Sequence, residues 1–157
     1  MGFGISTILH GVLAFFIIIE LGLTGYMVSK ADDFWWSGAP SRFSFMLFNS
    51  IWSIPVLAYV ALTPRFLERF YHGLAAFGLV AVTTLFWFAG SVALAVWIGV
   101  GRCGGNSFCQ SIQAAVAFGF FIFALFAALT VFAGLGAFRG GARADTTRKP
   151  GQPFPGV

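Results

Sequence analysis

The chain reads as an all-α integral membrane protein, a four-helix bundle with cytosolic N- and C-termini. Three observations predict this. Four nearly uncharged apolar runs, 5–28, 43–62, 73–100 and 112–138, fill most of the 157 residues. Each has roughly the 20 residues a helix needs to cross a ~30 Å hydrocarbon core. Charged residues make up only 9% of the chain, against about 25% in soluble domains, so the segments outside lipid are too short for a second core. Lastly, Arg65, Arg69, Arg139, Arg143, Arg148 and Lys149 fall on one side of the predicted spans, and Lys30, Arg42 and Arg102 on the other. The positive-inside rule puts the larger group in the cytosol. The expected organisation is a membrane domain over 1–138 and a flexible basic Gly/Pro-rich tail over 139–157. Orientation and attraction to anionic lipid account for the net charge of +4, and no nucleic-acid partner is needed.

Span one, 5–28, begins without a preceding Lys or Arg and has no small-residue cleavage site after Val28, so it is expected to be retained. Met1 to Ser6 fits a Met-Gly-x-x-x-Ser myristoylation pattern, but Phe3 is bulky and a four-span protein needs no added anchor. Thr7, Gly11, Ala14, Gly22 and Gly25 cluster on one helical face, which predicts a tight packing seam. Glu20 is the single acid deep in an apolar run. Such residues are costly in lipid and face protein or water. It lies away from the glycine face and is expected to meet another helix, a partner or a headgroup, or to bond Asn49, Ser53 or a backbone carbonyl. A proton or ion relay would need a companion; His10 is the only one, about 15 Å away along the axis.

An outer loop, 31–41, follows. Phe34, Trp35 and Trp36 sit where the chain leaves the hydrocarbon and suit an interfacial aromatic belt. Span two, 43–62, carries Asn49, Ser50, Ser53 and a kink-forming Pro55. The 63–72 link is amphipathic enough to lie on the inner surface. Span three, 73–100, places Ala76, Thr83 and Gly90 seven apart on one face beside Trp87, predicting a packing face. In span four, 112–138, Ala117, Ala124, Ala128 and Gly134 form a small-residue side, while Phe118, Phe121 and Phe126 make another side bulky. The basic residues of the 63–72 link and the tail, from Arg65 to Lys149, are read as lipid-headgroup contacts.

The second outer loop holds the chain's two cysteines, Cys103 and Cys109, with glycines between them. An exofacial pair so spaced reads as a disulfide; free or acylated thiols are the alternative, and a metal site would need further ligands with no His nearby. No glycosylation sequon, phosphate-binding Gly loop or catalytic Ser/His/Asp grouping occurs, so neither enzymatic activity nor a cofactor is expected.

Gly22-Leu-Thr-Gly-Tyr26, Pro40-Ser-Arg-Phe-Ser-Phe-Met-Leu-Phe48, Phe86-Trp-Phe-Ala-Gly90 and the outer-loop Cys pair, in that order on four spans, resemble the fungal MARVEL-domain proteins, including the non-classical export protein group. The resemblance covers residues 5–138. It implies a plasma-membrane or vesicle organiser, tied to furrow-like microdomains (eisosomes), with membrane lipids such as sphingolipid or sterol and other integral membrane proteins as partners, and with self-association open. Leu79-Val80-Ala81-Val82 departs from the polar or acidic residue many relatives carry early in span three. Two other functions stay open: a dedicated accessory subunit of a larger membrane complex, and a small proton or solute transporter using Glu20.

Overall fold

A computed structural model describes residues 2–34, 40–66, 72–99 and 101–146. It contains four helices: α1 (Gly2–Phe34), α2 (Ser41–Phe66), α3 (Gly73–Ile98) and α4 (Ser107–Thr146). Each is long and apolar enough to cross a bilayer. Helices are the single-chain solution in lipid because every backbone N–H and C=O between the ends is paired within the segment.

The ends of the helices have local causes. Pro40 cannot continue a helix backwards, and its carbonyl accepts the Phe43 N–H at 2.9 Å, opening α2. Gly99, at φ 63° and ψ −160°, ends α3 in a positive-φ conformation open to glycine, its N–H donating to the Ala95 carbonyl. Asn106 caps α4: its Oδ1 accepts the Phe108 and Cys109 N–H groups at 3.0 and 3.3 Å.

Four boundaries correct the sequence reading: α2 runs through Pro64 to Phe66, where the inner link was expected from residue 63, α4 opens at Ser107 and takes in Cys109, and α1 and α4 both run on at their C-terminal ends. α1 runs on through Phe34, where a loop from Ala31 was expected, because Ala31 is fully buried and continues the inner stripe of that helix. α4 extends to Thr146, so the stretch 139–146, expected to be flexible tail, is helical despite Gly140 and Gly141. Residues 147–157 lie outside the described residues.

The helices form a ring. α1 packs on α2 and α4, α3 packs on α2 and most extensively on α4, and among the described residues the diagonal helices keep their backbones apart, with α2 and α4 touching through side chains such as Phe43 and Phe108. The inner faces follow steps of three and four residues: Leu13, Ile17, Glu20, Thr24, Met27 and Ala31 on α1, and Ala76, Val80, Thr83, Trp87, Gly90 and Leu94 on α3. α4 repeats the pattern with Ile112, Ala115, Gly119, Ile122, Phe126 and Leu129. That spacing is the left-handed supercoil geometry common to membrane bundles. Phe126, expected on the bulky side with Phe118 and Phe121, is fully buried at the centre.

Candidate functional site

The polar side chains of the spans converge on the interior. Trp87 Nε1 donates to Ser53 Oγ at 2.8 Å, and Ser53 Oγ donates to the Asn49 carbonyl at 2.7 Å. Asn49 Nδ2 reaches across to the Phe86 carbonyl at 3.0 Å, and Trp52 Nε1 to Thr83 Oγ1 at 3.2 Å. These bonds join α2 to α3; the Thr84 and Thr130 hydroxyls, 2.9 Å apart, join α3 to α4. In lipid, where apolar burial gives helices little reason to associate, such bonds and close packing hold the bundle.

Glu20 is fully buried among these elements. It does not reach a partner protein or a headgroup, as one reading of the sequence had it, and it does not bond Asn49 or Ser53, whose groups serve Phe86, Trp87 and the α2 backbone. Both its carboxyl oxygens, with Asn49 Oδ1 and Ser91 Oγ, are buried without a partner among the described residues. Thr24, one turn on, bonds the Glu20 carbonyl at 2.7 Å and not the carboxyl. His10 is not brought to Glu20: its Nδ1–H donates to the Ser6 carbonyl at 2.6 Å, one turn back. Among the described residues no three His, Cys, Asp or Glu groups gather to hold a metal ion.

The small residues divide. Ala76, Thr83 and Gly90 face the core of α3. Space at Gly90 is tight: a Cβ there would meet Met46 Sδ at 2.6 Å and Asn49 Nδ2 at 3.0 Å. Gly119, unmarked by the sequence reading, lies against Ser91 Oγ, and Gly134 against the Phe77 ring, where a Cβ would stand 3.1 Å away. The expected seam on α1 is overturned. Gly11 and Gly22 are exposed, Gly25 is half-buried, and nothing lies within 4 Å of a Cβ at any of them. Ala117 and Ala124 are exposed as well, and Ala128 is half-buried. Part of the α1 glycine face instead lines an open-sided groove of about 600 Å³ against α2, with Gly11, Ala14 and Ile18 on one wall and Ile54, Ala58 and Ala61 on the other.

At the opposite end of the bundle, Cys103 and Cys109 are joined in a disulfide, Cα–Cα 5.4 Å. Gly105, at φ 87°, turns the loop between them, and Gln113 Nε2 donates back to the Gly101 carbonyl at 2.9 Å. Beneath it Phe43 meets Trp97 and Phe108 edge-on, at centroid distances of 5.2 and 6.0 Å. This cluster ties α2, α3 and the first turn of α4 together. The sequence reading missed it, though Trp97 at the end of an apolar run was a usable signal. Of the expected belt, Trp35 and Trp36 lie outside the described residues, as do Arg69, Arg148 and Lys149 among the basic set. Phe34, Arg65 and Arg143 are described by backbone alone, at or near helix ends, and Arg139 is exposed.

Two of the resembling stretches meet in space. Phe45 and Phe48 pack on Phe86 at 5.9 and 6.3 Å, while Gly90 accommodates Met46 and Asn49. The start of α2 and the middle of α3 thus form one contact. No curated protein and no solved structure matches the chain. The model of MARVEL, described as a membrane-associating domain, matches residues 3–132, which takes in α1 to α3 and most of α4. This four-span, multi-pass integral membrane protein belongs to the MARVEL family.

Proposed function

We propose that the protein is a non-enzymatic organiser of the membrane, gathering lipids and other integral membrane proteins around its outer faces. The observation that carries this reading is the family match over a bundle turned inside out in its polarity. Its hydrogen-bonding side chains point inward to hold helices together, while large apolar side chains such as Ile8, Ile18, Leu85 and Val96, 64–77% exposed, cover the outside. A surface of this kind recognises by shape and packing. The distribution of Arg and Lys supports cytosolic termini. The resemblance of residues 22–26, 40–48 and 86–90 to the fungal group supports the plasma membrane and its furrow-like microdomains as the setting, an associational argument since one fold hosts several roles.

Affinity purification of the full chain from native membranes, followed by blue-native electrophoresis in mild detergent, tests the reading. Heterogeneous or self-only species with co-purified lipid are expected. One stoichiometric partner would make the protein a dedicated subunit instead. Flux through reconstituted protein that Glu20→Gln abolishes would make it a transporter.

A further inference from the structure

We propose that a cavity beneath the first turns of α1 takes a neutral lipid whose headgroup is a bare hydroxyl. The O–H donates to His10 Nε2, and the acyl chain leaves between α1 and α4. The inference rests on the organiser reading and names the chemistry of one lipid the protein gathers.

His10 Nδ1 stands 2.6 Å from the Ser6 carbonyl oxygen. Two acceptors do not approach so closely, so Nδ1 carries the ring proton, and in the neutral ring Nε2 is an acceptor only. That Nε2 is buried and has no partner among the described residues. His10 lines a cavity of about 230 Å³ whose walls include Val60 of α2, Val80 of α3, and Leu129 and Ala133 of α4. These side chains are hydrocarbon and cannot donate. Ser6, the other polar residue of the lining, has its hydroxyl 3.5 Å from Nδ1, on the other side of the ring. A buried acceptor left unpaired is costly, so the cavity favours a donor brought from outside.

Lipid has a way in. From Gly4 to Val12 no α1 side chain is fully buried, whereas Leu13 and Ile17 beyond them are. The first turns of α1 therefore pack loosely on the other helices. A cleft of about 250 Å³ opens there between Ile5 and Leu9 on α1 and Phe132 on α4. It shares Ser6, Leu129 and Phe132 with the cavity, so the two adjoin. The chemistry of the donor follows from depth. His10 lies six residues into the span that begins at Gly4, about 9 Å along the axis. An ammonium carried there would lose its hydration, and neither lining holds an acid to meet it. A phosphate or carboxylate would bring acceptors to a site that already has one. An uncharged hydroxyl on an apolar body suits both the lone pair and the walls. A flexible acyl chain can follow the way out past Ser6, Leu129 and Phe132; a rigid fused-ring body would have to part the two helices.

The test is photolabelling of the full chain in phosphatidylcholine vesicles, with labelled peptides mapped by mass spectrometry. The probes are a diacylglycerol with a diazirine in one acyl chain, the same lipid with its hydroxyl methylated, and a diazirine sterol. The free alcohol should label 5–10 and 129–133 severalfold more than its methyl ether, which cannot donate. His10→Phe keeps a ring and removes the acceptor, and should make alcohol and ether equal; His10→Gln, whose amide oxygen accepts, should restore the difference. Ala133→Leu should fill the cavity and lower labelling by the alcohol at these positions, while Leu85 and Val96 on the outer face of α3 stay labelled. Equal labelling by alcohol and ether in the unaltered chain would mean that water suffices at Nε2 and would overturn the proposal. So would a difference that survives His10→Phe, or stronger labelling of the same peptides by the sterol. Each of these outcomes would leave recovery of partners from native membranes untouched, so the organiser reading stands or falls separately.

Discussion

Glu20 is the residue that most tests the energetics of this bundle. A buried carboxyl without a hydrogen-bond partner carries its full desolvation penalty, about 1–3 kcal/mol. Glu20→Leu, close in volume, removes that penalty and keeps the α1 stripe filled. Thermal unfolding in mild detergent should therefore show a variant at least as stable as the parent, with a gain of up to that size. Glu20→Ala, which leaves a cavity, should be less stable than Glu20→Leu. A Leu variant that unfolds earlier than the parent would mean that the carboxyl makes a bond the structure does not show. The glycines give a matched pair. Gly90→Val must displace Met46 and Asn49 and should cost about 1–3 kcal/mol through overpacking. Gly22→Val meets nothing within 4 Å and should unfold with the parent; equal losses at both sites would contradict the assignment of inner and outer faces.

At the scale of the helix, what could be read in advance depended on which physical signal survives in lipid. The four elements were legible because hydropathy over 20 residues separates spans from connectors whatever their packing. Which face turns inward was harder, since each helix is apolar all round and periodicity has little contrast to work with. Small residues were taken as the sign of a seam. That worked for Gly90 and failed for Gly11, Gly22 and Gly25, because a missing side chain permits close approach but does not compel it. The polar residues are the better guide. Glu20 and Thr24 on α1, Asn49, Ser50 and Ser53 on α2, and Thr83, Thr84 and Ser91 on α3 all lie on inner faces, as the cost of polar groups in hydrocarbon requires. The outer loop also belongs to this scale. The Cys103–Cys109 link sits against the Asn106 cap that starts α4. Non-reducing mass spectrometry should recover the two cysteines in one cross-linked peptide, and replacing both with Ser should lower stability by about 2 kcal/mol, the value for so short a loop. Free thiols at both positions in protein purified without reductant would refute the link.

For the whole molecule, a ring of four antiparallel helices with inward polarity leaves an outer surface that other membrane components can pack against. The family match covers residues 3–132, so the four-span framework is that of the family, and the outer faces and the basic end are features read on that framework. Those features have meaning only if the helices cross the bilayer in the order the ring demands, with the connector between α2 and α3 and both termini on one side and the disulfide loop on the other. Protease protection on sealed vesicles, using cleavage sites placed after Met1, at Glu68, at Gly104 and after Val157, measures this directly. The account predicts that the first, second and fourth are cut from the same side and that the Gly104 site is cut from the opposite side. A Gly104 site cut together with the Glu68 site would contradict it.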